Sequence, residues 1–141
     1  MDLNYARLVD ALKAAGLKLT PQRLAIVERL AGDETHPTAQ ELFERLRAQF
    51  PTMSMATVYN TLDALTGIDG CRQLQMGGAT RFDPNVASHD HAVCSRCGAI
   101  RDVAHEERAD AREASRELPG FLVERVERIY RGVCASCSRA A

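Results

Sequence analysis

Two cysteine pairs stand out first in this 141-residue chain, Cys94-x-x-Cys97 and Cys134-x-x-Cys137. A two-residue spacer lets both sulfurs of a pair reach one ion from a tight turn. Four thiolates meet zinc's need for soft, tetrahedral ligands. Ser95, Arg96, Gly98, Ala135 and Ser136 are small or polar, as such turns require. A closed all-thiolate site keeps no open coordination position, so its expected role is structural, not catalytic. Two redox-active CxxC pairs, or simply packed thiols, are the competing reading. Cys71 lies outside both pairs and reads as a core residue.

A second set of residues is chemically harder. His89-x-His91 places two imidazoles on the same side of an extended segment. Asp83 and Asp102 flank them, and His36 lies far upstream. Imidazoles with carboxylates suit Fe(II), Mn(II) or a weakly held Zn(II), selected by geometry. If His36 joins the others, one ion bridges both halves of the chain and couples metal occupancy to the angle between them. Taken singly, His36 before Pro37 also reads as a surface or capping residue, and Asp83 after Phe82 as a turn former. A metallohydrolase built on this set would need an open metal position and a general base. Nothing in the sequence marks a substrate pocket for one.

These residues need elements to position them. Leu3, Ala6, Leu8, Val9, Leu12 and Ala15 have helical spacing, and Gly16 can end that helix in the left-handed conformation. Thr20-Pro21 is a helix start, with Thr as N-cap and Pro at the first position. Thr38 with Glu41 forms a capping box for a third helix. Ser54 caps a fourth, ending at Gly67. The period then changes. Arg72–Met76 and Ala79–Phe82 read as strands joined at Gly77-Gly78, a hairpin turn. Helices followed by a two-stranded hairpin follow the order of a winged helix-turn-helix, with residues 1–82 as the DNA-binding domain. A single such unit needs a second copy for tight operator binding. Residues 83–90 are polar and read as a hinge, and residues 91–141 as a second domain. There, strands are expected around His91–Cys94 and Ala99–Val103, a charged helix over 105–118, and a last strand over 121–130. The fold class is therefore α+β.

Composition narrows the classes. No apolar run approaches the roughly 18 residues that span a membrane. The first residues lack the basic and apolar regions of a secretory signal, so a cytoplasmic, reducing location is expected. Five cysteines there point to metal or redox chemistry over structural disulfides. A net charge of −1 does not advertise nucleic-acid binding, so a local basic face must supply it. The candidates are Lys13, Lys18, Arg23, Arg72 and Arg81.

Five motifs together resemble the ferric uptake regulator superfamily: His36-Pro37-Thr38-Ala39, Ala56-Thr57-Val58-Tyr59-Asn60-Thr61-Leu62, Arg81-Phe82-Asp83, His89-Asp90-His91-x-x-Cys94-x-x-Cys97-Gly98, and Gly132-Val133-Cys134-x-x-Cys137. The resemblance spans nearly the whole chain. It implies a homodimeric winged-helix repressor with a small C-terminal α/β dimerisation domain and a four-cysteine zinc site, binding a palindromic double-stranded DNA operator. The chain most resembles the peroxide-sensing branch, in which three His and two Asp hold regulatory Fe(II) or Mn(II). These map onto His36, His89, His91, Asp83 and Asp102. The branch's behaviour implies oxidation of His36 or His89 to 2-oxo-histidine. The iron-sensing branch tends to carry Glu at the two Asp positions, and an iron-responsive repressor is the alternative. The zinc-sensing branch brings a Cys into the regulatory site, and Cys71 is not at the matching position. Val126 stands where many iron sensors carry a further His, which argues against an additional metal site there. The fourth helix is expected in the major groove through Thr57, Tyr59 and Asn60, with Lys13, Arg23 and Arg72 on or near the backbone.

Overall fold

Hydroxyl side chains start three of the four N-terminal helices. The structure, a computed structural model, describes residues 3–75, 78–87, 89–104 and 107–139. Helix α1 (Leu3–Ala14) leads to Gly16, whose φ of +78° is the left-handed turn expected there. Helix α2 (Pro21–Ala31) starts with Thr20 Oγ1 accepting the Arg23 N–H at 3.2 Å. Helix α3 (Ala39–Leu46) carries the full capping box: Thr38 Oγ1 accepts the Glu41 N–H at 3.1 Å, and the Glu41 carboxylate accepts the Thr38 N–H at 3.4 Å. Ser54 Oγ accepts the Thr57 N–H at 3.2 Å and opens α4 (Met55–Gly67). Each such cap is worth about 1 kcal/mol.

The four helices share one apolar core. Leu8 and Leu12 of α1, Ile26, Val27 and Leu30 of α2, Leu42 and Leu46 of α3, and Val58, Leu62 and Leu65 of α4 are all buried. Phe82 closes this core from the hairpin of β1 (Arg72–Leu74) and β2 (Arg81–Asp83). A fully buried side chain of this kind contributes about 1.5–3 kcal/mol. Gly70, between α4 and β1, sits where a side chain would be crowded. A Cβ there would meet Ala11 Cβ and the Leu65 carbonyl oxygen, each at 3.1 Å.

The strands are shorter than the sequence suggested and displaced. Arg72 pairs with Asp83 and Leu74 with Arg81, so the ladder ends at Leu74 and takes in Asp83. Strand β2 is engaged on its other side too: the Phe82 N–H donates to the Pro37 carbonyl at 2.9 Å, and Thr38 bridges to Arg81. Residues 76 and 77 of the expected turn lie outside the described residues.

The chain divides into two compact units, Met1–Val86 and Ala87–Ala141. Asp83 belongs to β2 and Asp90 to β3, which leaves a shorter connection than the expected 83–90. The second unit holds a three-stranded sheet ordered β4-β3-β5. Central strand β3 (Asp90–Cys94) pairs antiparallel with β4 (Ile100–Val103) and parallel with β5 (Ile129–Gly132). Helix α5 (Glu107–Glu117) is the crossover that a parallel pair requires. The strand expected over 121–130 is reduced to Ile129–Gly132. The reason is its neighbour: β3 begins at Asp90, so residues 121–128 have no ladder to join. Helix α6 (Ala135–Arg139) was not expected. It forms within the second cysteine knuckle.

The two units are stabilised differently. Among the described residues of the second unit, only Val93 and Cys94 are buried apolar residues. Leu118, Phe121, Leu122, Ile129, Tyr130 and Val133 are exposed, Leu122 by 82%. So small an apolar core needs a metal or a partner subunit. No helix among the described residues is long and apolar enough to cross a membrane.

Candidate functional site

The four knuckle cysteines converge, their sulfurs all within 4.8 Å of one another. Cys97 Sγ and Cys134 Sγ, from different knuckles, are 3.8 Å apart. A tetrahedron with Zn–S bonds of about 2.3 Å has edges of roughly 3.8 Å. The fold builds this cluster locally. Cys94 ends β3, and Gly98, at φ +76°, turns the first knuckle so that its N–H reaches the Cys94 carbonyl at 2.9 Å. The Ser95 N–H and hydroxyl both donate to the Gly132 carbonyl, at 2.7 and 3.1 Å, and tie this knuckle to β5. Arg96 Nη1 donates to the Cys137 carbonyl at 3.2 Å, a further link to α6.

The thiols differ in their protonation. The backbone N–H groups of Cys134 and Cys97 point at Cys94 Sγ, at 3.3 and 3.5 Å, and lower its pKa to about 6. Hydrogen bonds to Cys134 and Cys97 hold the Cys137 thiol protonated and push it up to about 12. Four sulfurs this close cannot all ionise without a compensating cation. A dication supplies that compensation, so the donor set fits zinc. Cys71 has a different environment. It is buried, it lies 3.4 Å from Thr66 Oγ1, and burial pushes its thiol up. It is a core residue of the hairpin's base.

In the helical unit, His36 and Asp83 form a buried pair, with His36 Nε2 3.3 Å from Asp83 Oδ2. His36 is 1% exposed, so it is not the surface residue its place before Pro37 allowed. Its φ of +59° lies in the left-handed region, a conformation costing a non-glycine residue about 1–3 kcal/mol. The flanking contacts hold it there. Arg81 Nη1 donates to the His36 carbonyl at 3.0 Å, and Phe82 binds the next carbonyl, that of Pro37. Asp83 Oδ1 accepts the Asn85 N–H at 2.9 Å.

In the second unit, His89, His91 and Asp102 come together. The β3–β4 register places Asp102 directly opposite His91. Asp102 Oδ1 is 3.2 Å from His89 Nε2 and 3.3 Å from His91 Nε2. The two Nε2 atoms are themselves 2.9 Å apart. His89 Nδ1 is 2.6 Å from the Ala87 carbonyl. Donation there fixes the tautomer and leaves Nε2 with its lone pair. Two imidazole nitrogens and a carboxylate oxygen converging on one point fit a borderline divalent cation. Both histidines are buried, while Asp102 remains partly exposed.

The expected DNA-contacting residues take varied positions. Tyr59 is 48% exposed. Asn60 is also exposed, and the two share the outer face of α4. Lys13 is exposed at the end of α1. Thr57 is half-buried, with Oγ1 3.2 Å from Ser54 Oγ, so it serves the cap. Arg23 donates to the Lys18 carbonyl at 2.9 Å. Arg72 is half-buried and donates to the Val86 carbonyl, which turns it toward the chain itself. Sequence reasoning missed Arg7, Asp90 and Arg128. Asp90 is buried between the two histidines in sequence and takes both the backbone N–H and the guanidinium of Arg128, at 2.7 and 3.3 Å. The alternation of strand β3 was the available signal: a charged residue between two inward histidines needs its own partner on the other face.

A capped set of helices presenting one exposed helix face, followed by a hairpin, is the architecture of a winged helix-turn-helix regulator. The chain belongs to the ferric uptake regulator family, which it matches over residues 14–129. It is 36% identical over 132 residues to the peroxide operon regulator of Bacillus subtilis (strain 168), covering 93% of this chain and 91% of that protein. It is 35% identical over 130 residues to the peroxide-responsive repressor PerR of Staphylococcus aureus, covering 92% and 88%. In three dimensions it resembles the ferric uptake regulator of Helicobacter pylori, with a TM-score of 0.78 at 25% identity, over 96% of this chain and 91% of that one.

Proposed function

We propose that this chain is a metal-dependent, DNA-binding transcriptional repressor that senses peroxide. It works in the cytoplasm as a homodimer on a palindromic operator. The observation that carries this reading is the buried convergence of His89 and His91 on Asp102, matched by the buried pair His36–Asp83. Regulators named for peroxide response are 36% and 35% identical to it over 132 and 130 residues.

Cys94, Cys97, Cys134 and Cys137 would hold a structural Zn(II). His36, Asp83, His89, His91 and Asp102 would together hold one regulatory Fe(II) or Mn(II). Such an ion takes two ligands from the helical unit and three from the second. Its occupancy would therefore fix the angle between the units and, in the dimer, the spacing of the two α4 helices. The exposed apolar residues of the second unit, Phe121, Leu122, Ile129 and Tyr130 among them, fit a surface covered by a second copy. On DNA, Tyr59 and Asn60 face the bases from α4, and Lys13 offers phosphate contact.

Bound Fe(II) would activate peroxide for O–O cleavage without net change, and the ring of His36 or His89 would supply the two electrons and accept the oxygen. One peroxide oxygen adds to an imidazole ring carbon, giving 2-oxo-histidine, and the other leaves as water. The modified ring is a poorer ligand, so the two half-sites separate and the operator is released. Each histidine reacts once, which makes this a consumed sensor and not an enzyme.

Mass spectrometry of iron-loaded protein after peroxide tests the reading. One added oxygen is expected on peptides containing His36 or His89, and none when Mn(II) replaces Fe(II). If iron-loaded protein gains none, iron sensing without peroxide chemistry takes its place.

A further inference from the structure

We infer that Arg7 and Arg72 are positioning residues for the regulatory metal, acting as a clasp on the four residues that begin with Asp83. The inference rests on Asp83 being a ligand, as proposed above.

The clasp draws on two distant parts of the helical unit. From α1, Arg7 Nη2 donates to the Pro84 carbonyl and to Asn4 Oδ1 (3.3 Å), and Nη1 to the Gly70 carbonyl (2.8 Å). From β1, Arg72 Nη2 donates to the Val86 carbonyl at 2.5 Å. Between those carbonyls, the Asn85 N–H donates back to Asp83 Oδ1 at 2.9 Å, while Asp83 Oδ2 faces His36 Nε2 at 3.3 Å. Pro84 has no N–H to redirect and a fixed φ.

Two guanidinium groups therefore grip alternate carbonyls of a segment whose intervening N–H orients the Asp83 carboxylate. Only a forked donor can hold the Gly70 and Pro84 carbonyls together. Gly70, where an added Cβ would lie 3.1 Å from Ala11 Cβ, brings its carbonyl within reach of α1. The same segment is where the chain leaves the helical unit for the second. The clasp thus sets the aim of a ligand at the point where the chain leaves the helical unit. It also gives the half-buried Arg72 a role in place of phosphate contact.

The test uses full-length, zinc-loaded protein and Mn(II) as the probe. Two quantities are measured: Mn(II) affinity by direct titration, and operator affinity at saturating Mn(II) over a range of salt. Loss of a group that orients a metal ligand weakens metal binding about 10- to 100-fold. R72M and R7M should each show that loss, with operator affinity and salt slope at saturating Mn(II) unchanged from wild type. R72K should recover most of the Mn(II) affinity, because one ammonium can serve one carbonyl, whereas R7K should not. Wild-type Mn(II) affinity in R72M would overturn the clasp. So would weaker operator binding with a shallower salt slope, the mark of a lost phosphate contact. Should a variant misfold by circular dichroism, hydrogen exchange at the Asn85 amide of the wild type decides: protection supports the clasp and free exchange overturns it. Wild type whose operator binding ignores Mn(II) would instead sink the functional reading, which separates the two failures.

Discussion

Removing zinc should unfold the second unit and leave the helical unit standing. The magnitude follows from what each unit buries. The helical unit encloses Leu8, Leu12, Ile26, Leu30, Leu42, Leu46, Leu62 and Leu65, all essentially inaccessible, each contributing about 1.5–3 kcal/mol. Among its described residues the second unit buries Val93 and Cys94, and Val93 contributes roughly 2 kcal/mol on the same scale. A structural zinc in a small domain contributes on the order of 10–16 kcal/mol near neutral pH. The metal therefore outweighs the apolar core of that unit several-fold. A strong chelator, or Cys134→Ser, should abolish hydrogen-exchange protection of β3, β4 and β5 while the amides of α1–α4 keep theirs. Helical circular dichroism should fall only by the share of α5 and α6. Equal loss of protection in both units would refute the reasoning, because the helical core would then depend on the thiolate site. Full retention in the second unit would refute it too, because another force would be holding the sheet.

Zinc uptake should also depend on pH in a defined way. Cys94 is lowered to about 6, so below that pH it is protonated and must release a proton to bind metal, and above it the thiolate is already formed. Proton release per zinc, measured by calorimetry in buffers of different ionisation enthalpy, should fall by about one as pH rises through about 6. On the DNA side, Tyr59→Ala or Asn60→Ala should weaken operator binding by about 1–3 kcal/mol and leave Mn(II) affinity unchanged. A parallel loss of Mn(II) affinity in titration would mean that α4 serves the fold and not the bases.

What could be read from the sequence was what is decided locally. Thr20, Thr38 and Ser54 mark helix starts because a cap binds an N–H within its own first turn. The CxxC knuckles are visible because each closes a turn of its own. Strand lengths were less visible, because a neighbour sets them: β5 begins at Ile129 where β3 offers partners, although Phe121 and Val123 have the composition of a strand. The pairing of His91 with Asp102 also depends on register, which the sequence hints at only through alternation. Arg7 was invisible for a different reason. Its partner Pro84 is 77 residues away and offers only a carbonyl, and a backbone acceptor leaves no trace in residue type.

On the proposed reading, the strained place of His36 bears on its work as a sensing ligand. A histidine at φ +59° immediately before proline is doubly disfavoured. It persists because Arg81 and Phe82 bind the carbonyls on either side of the His36–Pro37 bond, and because Thr38 is already committed to the capping box. The strain is thus met by folding of the helical unit, before any metal arrives. A ligand held this way loses little freedom on coordination, which favours binding. It also retains nothing flexible with which to re-form a bond once its ring is altered. A mobile histidine could swing back or be replaced by water at little loss. Under the proposed mechanism His36, buried and fixed on both sides, would turn a one-atom change in its ring into the loss of one half of the site.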